Sequence, residues 1–218
     1  MKTVVVIGTG TGVGKTHVAC GLVAHGVALG LRCAGLKPIE SGVDEGVETD
    51  AMRLQGYANV RAPAALYAFA QPVSPHLAAR ESGRRISVRK TLDWVAAVRA
   101  DLRVVETAGG LMSPLAPLVW NRHVVEGLAP DGVVVVAPDR LGVLHEVGAT
   151  LCALGRLGSV VAVALSEVGA GDASTGTNGA ELLEAGVVNG PVAVFPRGEV
   201  DDRRNGAAAA MVWSVLFP

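Results

Sequence analysis

Val4-Val5-Val6-Ile7-Gly8-Thr9-Gly10-Thr11-Gly12-Val13-Gly14-Lys15-Thr16 is the stretch from which the rest of the chain can be understood. A β-branched apolar run stops at a turn of alternating glycines. The turn leads into a segment where Val18, Leu22 and Val23 recur at helical spacing. Strand, glycine turn and helix in that order form a phosphate-binding loop. Glycines let backbone N–H groups converge on phosphate oxygens, and the helix N-terminus adds the positive end of its dipole. The candidate nucleotide contacts are therefore Gly12, Val13, Gly14, Lys15 and Thr16. Lys15 reaches the β/γ-phosphates, and the Thr16 hydroxyl is placed on Mg²⁺. The spacing is a variant, with five residues between Gly8 and Gly14. A dinucleotide fingerprint overlays Gly10 and Gly12 only out of order, and the lysine disfavours it.

Further along, Val104–Glu106, Val133–Val136, Val160–Ala164 and Val192–Phe195 read as strands, with a shorter one over Arg32–Lys37. They are apolar throughout rather than alternating, which is the pattern of strands buried on both faces in a parallel sheet. Helical segments fall between them at Gly14–Ala28, Val88–Arg99, Leu144–Leu154, Ala180–Ala185 and Gly206–Val215. Alternation of this kind predicts an α/β fold, doubly wound, with a mainly parallel sheet and helices on both faces. The length of 218 residues, with no repeat or linker, predicts one nucleotide-binding domain over residues 1–218. Gly169–Gly179 reads as a loose surface loop.

Composition narrows the function. Half the residues are hydrophobic and 18% are charged, which excludes a disordered chain. Net charge is -1, so there is no basic footprint for nucleic acid. No apolar run approaches the roughly 20 residues that a membrane-spanning helix needs. The first residues pass directly into the Val4 strand, unlike a signal peptide, so a soluble cytoplasmic protein is expected. Cys20, Cys33 and Cys152 lie far apart in apolar surroundings and read as three buried, reduced thiols.

A nucleotide site of this kind needs a divalent cation held by hard oxygens, at the carboxyl ends of strands. Glu106 closes the apolar run Arg103-Val104-Val105 ahead of Thr107-Ala108-Gly109-Gly110 and fits that place. Asp50 is a second candidate, with a helix cap as its competing role. Lys37 ends the second strand beside Pro38 and faces the same crevice, and Ser41 follows within reach.

With these residues in hand, the chain resembles the dethiobiotin synthetases, the ATP-dependent carboxylases of biotin synthesis. The resemblance rests on the phosphate loop, on Lys37-Pro38-Ile39-Glu40-Ser41-Gly42 and on Thr49-Asp50-Ala51. It continues through Tyr67-Ala68-Phe69-Ala70-Gln71-Pro72-Val73-Ser74-Pro75-His76, Glu106-Thr107-Ala108-Gly109-Gly110 and Arg140-Leu141-Gly142. It implies a homodimer that turns ATP, CO₂ and 7,8-diaminononanoate into dethiobiotin through a carbamate and its phosphoric anhydride. Thr16, Asp50 and Glu106 would hold Mg²⁺. Lys15 and Lys37 would neutralise phosphate and carbamate charge, and Thr11 and Ser41 would contact the carbamate end. Glu106 and Gly109 would also face the nucleotide. The segment Leu141–Leu144, with His145 after it, would meet the substrate's far carboxylate across the dimer.

The chain departs from the family pattern at several places. Gly10 replaces an acidic residue, Thr107 a glycine and His145 an asparagine, and Ser166-Glu167 stands for the adenine-reading Asn-Asp pair. Ser166 can then cover only part of the base edge, and backbone groups after the fifth strand, or over Pro196–Glu199, are expected to supply some of what is lost. Partitioning ATPases share this loop but carry a lysine near its start, where this chain has Gly8, Thr9 and Gly10. Two other readings are an amidase-linked synthetase of the same superfamily and a nucleotide-responsive switch that has lost catalysis. Intact Lys15, Thr16, Lys37, Asp50 and Glu106 speak against that loss.

Overall fold

A computed structural model describes residues 1–157 and 160–218. Its elements run β1 (Lys2–Gly8), α1 (Lys15–Ala28), β2 (Cys33–Leu36), β3 (Ile39–Ser41), α2 (Asp50–Tyr57), β4 (Tyr67–Phe69), α3 (Pro75–Glu81), α4 (Val88–Ala97) and β5 (Leu102–Gly110). They continue with β6 (Pro114–Ala116), β7 (Val119–Trp120), α5 (Asn121–Leu128), β8 (Gly132–Pro138), α6 (Val143–Leu154), β9 (Val161–Ser166), α7 (Asn178–Glu184), β10 (Val192–Phe195) and α8 (Arg203–Leu216).

Six strands form the central sheet in the order β10-β9-β8-β1-β5-β2, and every pairing in it is parallel. Alternation along β1 shows why its sequence is apolar throughout. Val4 and Val6 pack toward α1 and α8, while Val5 and Ile7 pack toward α4, α5 and α6. Both faces are covered, so neither position tolerates a polar side chain. Each fully buried valine contributes about 1.5–3 kcal/mol relative to exposure, so many small side chains build a core from few aromatics. A third cluster joins Ile39, Tyr67 and Phe69 of the two-stranded β3–β4 ribbon to Ala78 and Ala79 of α3, beside the main sheet.

The central strands and helices lie where the periodicity places them, with three differences. The strand expected to end at Glu106 continues to Gly110, because β1 offers it partners as far as Gly8↔Gly110. Thr107 is therefore a buried strand residue whose hydroxyl donates to the Val6 carbonyl at 3.3 Å, not part of a turn. The β3–β4 ribbon, the β6–β7 hairpin and α3 have no clear periodic signature, and α5 carries its apolar stripe through Val124, Val125 and Leu128 over only eight residues. Their strands are two or three residues long and the two helices seven and eight.

The loose loop expected over Gly169–Gly179 is cross-linked by hydrogen bonds, and α7 starts inside it. Asn178 Nδ2 donates to Asp139 Oδ1 at 2.7 Å and Gly176 N to Asp139 Oδ2 at 2.9 Å. Leu141 N donates to Asp172 Oδ2 at 2.8 Å. That bond, with donation from Ser174, holds the Asp172 carboxyl down at about 2. Cys152 also departs from expectation. It is exposed, because α6 buries a stripe through Val143, Val147 and Leu154 and residue 152 lies off it. Cys20 and Cys33 are buried, and burial raises their thiols to about 12 and about 11, which keeps them unreactive. Among the described residues, no helix is long and apolar enough to cross a membrane.

Candidate active site

The loop after β1 wraps toward the N-terminus of α1. Gly12 and Gly14 take φ of 71° and 91°, values that a residue with a Cβ resists. Gly14 has a second reason to be glycine, since a Cβ there would lie 2.6 Å from the Ser166 Cβ. Lys15 arches back over the loop, and its Nζ donates to the Gly10 carbonyl at 2.7 Å. Its ammonium lies buried, and burial lowers its pKa to about 8 against an opposing pull from Glu106. An anion entering the loop would favour the charged form and raise that value again.

Glu106 of β5, Asp50 at the start of α2 and Lys37 in the link between β2 and β3 meet beside this lysine. Glu106 is 1% exposed and Lys37 is 7% exposed. Lys37 Nζ donates to Glu106 Oε1 at 2.7 Å and also to Asp50 Oδ2. The Thr16 hydroxyl donates to the same Glu106 Oε1 at 3.0 Å. Burial pulls Lys37 down, but the two carboxylates outweigh it and its pKa stands above the ordinary lysine value. Burial pushes Glu106 up despite Lys37. For Asp50, burial acts upward, yet Lys37 prevails and the carboxyl lies below its usual value. Asp50 is not the cap of α2. Thr49 takes that place, accepting from Met52 N at 3.2 Å.

Among the described residues, one buried side-chain oxygen has no partner, and it is Glu106 Oε2. An unpaired buried carboxylate oxygen is expensive. It stands beside the Thr16 hydroxyl and Asp50, all hard oxygen donors of the kind Mg²⁺ takes. The residues present therefore fit that ion.

These groups open into a cavity of about 560 Å³, also lined by Thr11, Ser41 and Gly109. Ser166 and Pro196 line a second space of about 380 Å³ against Gly14 and His17. His145 lies on a third, of about 500 Å³, which Thr11 shares. Leu144 is half buried and packs against the sheet's core. The sequence reading thus gathers Thr11, Lys15, Thr16, Lys37, Ser41, Asp50, Glu106 and Gly109 around one cavity, with the base and tail candidates on its neighbours. It missed Glu40 and His17. Glu40 is a buried carboxylate in the main cavity's wall. Its one signal is a charge inside the otherwise uncharged run Pro38-Ile39-Glu40-Ser41. The ring nitrogen Nε2 of His17 lies 3.0 Å from the Pro196 carbonyl and 3.1 Å from Asn205 Oδ1. Nothing local in the sequence marks that bridge to α8.

Comparison with known proteins bears on what such a site does. The AAA domain family model matches residues 2–191. An ATP-dependent dethiobiotin synthetase from Anaeromyxobacter dehalogenans is 36% identical over 203 residues, 90% of each chain. Another so named, from an Anaeromyxobacter species, is 39% identical over 166 residues, 74% of each chain. Among solved structures, the septum site-determining protein MinD of Pyrococcus horikoshii, in complex with Mg-ADP, superposes with a TM-score of 0.61 at 13% identity. That match covers 98% of this chain and 95% of MinD. The signal recognition particle receptor FtsY of Elizabethkingia anophelis gives 0.55 at 16% identity, over 99% of this chain and 65% of its own. At such identities these two likenesses speak to the fold alone.

Proposed function

The chain belongs to the ATP-dependent dethiobiotin synthetases of the AAA domain family, and we propose that it is a ligase making dethiobiotin for biotin synthesis from ATP, CO₂ and 7,8-diaminononanoate. One amine nitrogen of the substrate adds to CO₂ and loses a proton, giving a carbamate. A carbamate oxygen then takes the γ-phosphoryl group of ATP, releasing ADP and leaving a carbamic–phosphoric anhydride. The second amine attacks the carbamoyl carbon, the ureido ring closes, and the C–O bond to phosphate breaks. Each nucleophile belongs to the substrate, so the protein's part is positioning and charge neutralisation.

The observation that carries this reading is the pair of buried ammonium groups in one cavity. Lys15 lies over the phosphate loop and Lys37 beside the two carboxylates. Lys15 meets the β/γ-phosphates. Lys37 turns toward the carbamate and the transferring phosphoryl group as negative charge gathers there. Thr11 and Ser41, on the same cavity wall, hydrogen-bond the carbamate end. Thr16, Asp50 and Glu106 would hold Mg²⁺, which when bound neutralises phosphate charge.

The base lies in the space between Ser166 and Pro196. The substrate's carboxylate tail lies in the cavity beside His145 and the start of α6, completed by a second copy in a homodimer. Exposed Met112 on that cavity's rim and exposed Leu141 at the head of α6 support a partner surface there. The whole chain acts as one domain, in the cytoplasm. The test is phosphate release measured with and without the diamine and bicarbonate, with the product identified by mass. Release that needs both, together with a product of dethiobiotin's mass, supports the reading. Release indifferent to both overturns it.

A further inference from the structure

We propose that Glu40 is a positioning residue that fixes Asp50 for the cation, an inference that rests on the magnesium-dependent reading of the site. Glu40 is the middle residue of β3. Its neighbour Ile39 packs into the apolar cluster with Tyr67 and Phe69, and strand alternation turns Glu40 the other way. It is 5% exposed and lies in the wall of the main cavity. Its Oε1 accepts the backbone N–H of Ala51 at 3.1 Å. Ala51 directly follows Asp50 at the start of α2.

The first N–H groups of any helix lack partners within it. In α2, two of them are met from side chains: Thr49 takes the N–H of Met52, and Glu40 takes that of Ala51. Of these two caps, only the Glu40 bond comes from another part of the fold; the helix's side chains add the Lys37 bond to Asp50 and a bond from Gln55 Nε2 to the Gly35 carbonyl at 3.0 Å. The Glu40 bond ties the first turn of the helix to β3, three residues beyond Lys37. Lys37 and the backbone of Asp50 are thereby referred to one short segment, Lys37–Ser41.

A buried carboxylate is costly unless hydrogen-bonded, so its presence here needs a return. An apolar side chain would fill the space without that cost but would leave the Ala51 N–H without its acceptor. The return is a fixed Asp50, whose oxygen must release the Lys37 ammonium and meet the incoming ion without the helix turning away. Groups that orient metal ligands typically alter metal affinity by about 10–100-fold when removed.

The experiment uses three variants of the full chain: Glu40→Ala, Glu40→Gln, which keeps an acceptor oxygen, and Thr49→Ala, which removes the other cap. Mn²⁺, standing in for Mg²⁺, is titrated with ADP present and followed by electron paramagnetic resonance. Hydrogen exchange of the Ala51 amide and thermal stability are measured alongside. In Glu40→Ala the Ala51 amide should exchange at least about tenfold faster, and Mn²⁺ affinity should fall about tenfold. Glu40→Gln should restore both to within about twofold, because the Ala51 N–H again has its acceptor. Thr49→Ala should lose thermal stability but keep most of the Mn²⁺ affinity. If Glu40→Ala does not fold, Glu40→Met fills the same space without an acceptor and takes its place.

Unchanged Mn²⁺ affinity in the acceptor-less variant, failure of Gln to rescue, or an equal loss of affinity in Thr49→Ala would each overturn the role. These readouts need no turnover. They therefore stand apart from the diamine-dependent assay, whose failure would instead remove the synthetase reading.

Discussion

At the end of the cleft proposed for phosphoryl transfer, Lys15, Lys37 and Glu106 are buried and Lys37 is held between two carboxylates. At the end proposed for the base, Ser166 stands against Gly14 and the Glu167 carboxylate accepts the Arg197 backbone N–H at 2.8 Å. There His17 lies within hydrogen-bond distance of a carbonyl and a carboxamide oxygen. One end is made of charged side chains paired with one another, apart from the unpartnered Glu106 Oε2. The other is made largely of backbone and of polar groups already engaged in holding loops. The contrast matches what the proposed reaction asks of each end. A transferring phosphoryl group concentrates charge, and only fixed ammonium groups and a cation can balance it in a dry site. A base is flat and neutral, so stacking surfaces and a few backbone groups can hold it.

The largest effect should come from the charged end. Lys37→Ala should leave nucleotide binding near normal, because Lys15 and the loop remain. Turnover should fall at least about a hundredfold, roughly 2.7 kcal/mol of transition-state stabilisation. Steady-state kinetics alongside an ADP-binding titration separate the two effects, and an unchanged kcat would remove Lys37 from the chemistry. Asp50→Ala comes next. With one of few hard ligands gone, the Mg²⁺ concentration for half-maximal rate should rise about tenfold. A Mg²⁺ titration that overlays the unaltered protein would return Asp50 to a merely structural place at the head of α2.

Crossing to the base end, the effects should shrink. His17→Ala removes the group bridging α1 to Pro196 and Asn205, a loss on the scale of one or two hydrogen bonds of about 0.5–1.5 kcal/mol each. The KM for ATP should rise by about three- to tenfold with little change in kcat. A fall in kcat as large as that of Lys37→Ala would show that the two ends are not separable.

The same contrast explains what could be read in advance. The sheet was legible because strands buried on both faces, such as Val133–Val136, admit few residue types. The charged end was legible because Lys15 and Lys37 follow the carboxyl ends of β1 and β2 and Glu106 sits on the inner strand β5, places that an apolar run marks plainly, whereas Asp50 opens α2 and was marked by the motif Thr49-Asp50-Ala51. Glu106 stands out as a charge at the end of Val104-Val105, even though β5 continues past it. Short elements such as β3 were not legible, since two or three residues cannot display a period; α5 does carry an apolar stripe through Val124, Val125 and Leu128, but eight residues are too few to set it apart. Nor were Glu40 and His17, whose partners Ala51, Pro196 and Asn205 lie 11, 179 and 188 positions away. Tertiary contacts of that kind leave no local pattern. The Gly169–Gly179 stretch misled for a related reason. Glycine and serine suggest looseness, but Asp139 and Asp172 supply the acceptors that tie it down.

The smallest effect expected is discrimination among bases, and it tests the contrast most directly. An asparagine at position 166 would offer adenine two hydrogen bonds, one accepted from N6–H₂ and one donated to N7. A bidentate contact of that kind discriminates by about 1–3 kcal/mol. Ser166 has a single hydroxyl on a shorter stem, and its Cβ is crowded against the Gly14 backbone, which limits its reach. Glu167 is already occupied by the Arg197 N–H. Binding should then come mainly from the phosphate loop and the cation, neither of which touches the base. The kcat/KM for ATP, at saturating diamine, bicarbonate and Mg²⁺, should exceed those for GTP and CTP by no more than about tenfold. Ser166→Asn should widen that margin, since it restores the second contact. A preference for ATP above about a hundredfold in the unaltered protein would mean that some other group reads adenine. The base end would then be as specifically built as the phosphoryl end, and the difference between the two would lie only in how visibly each is written in the sequence.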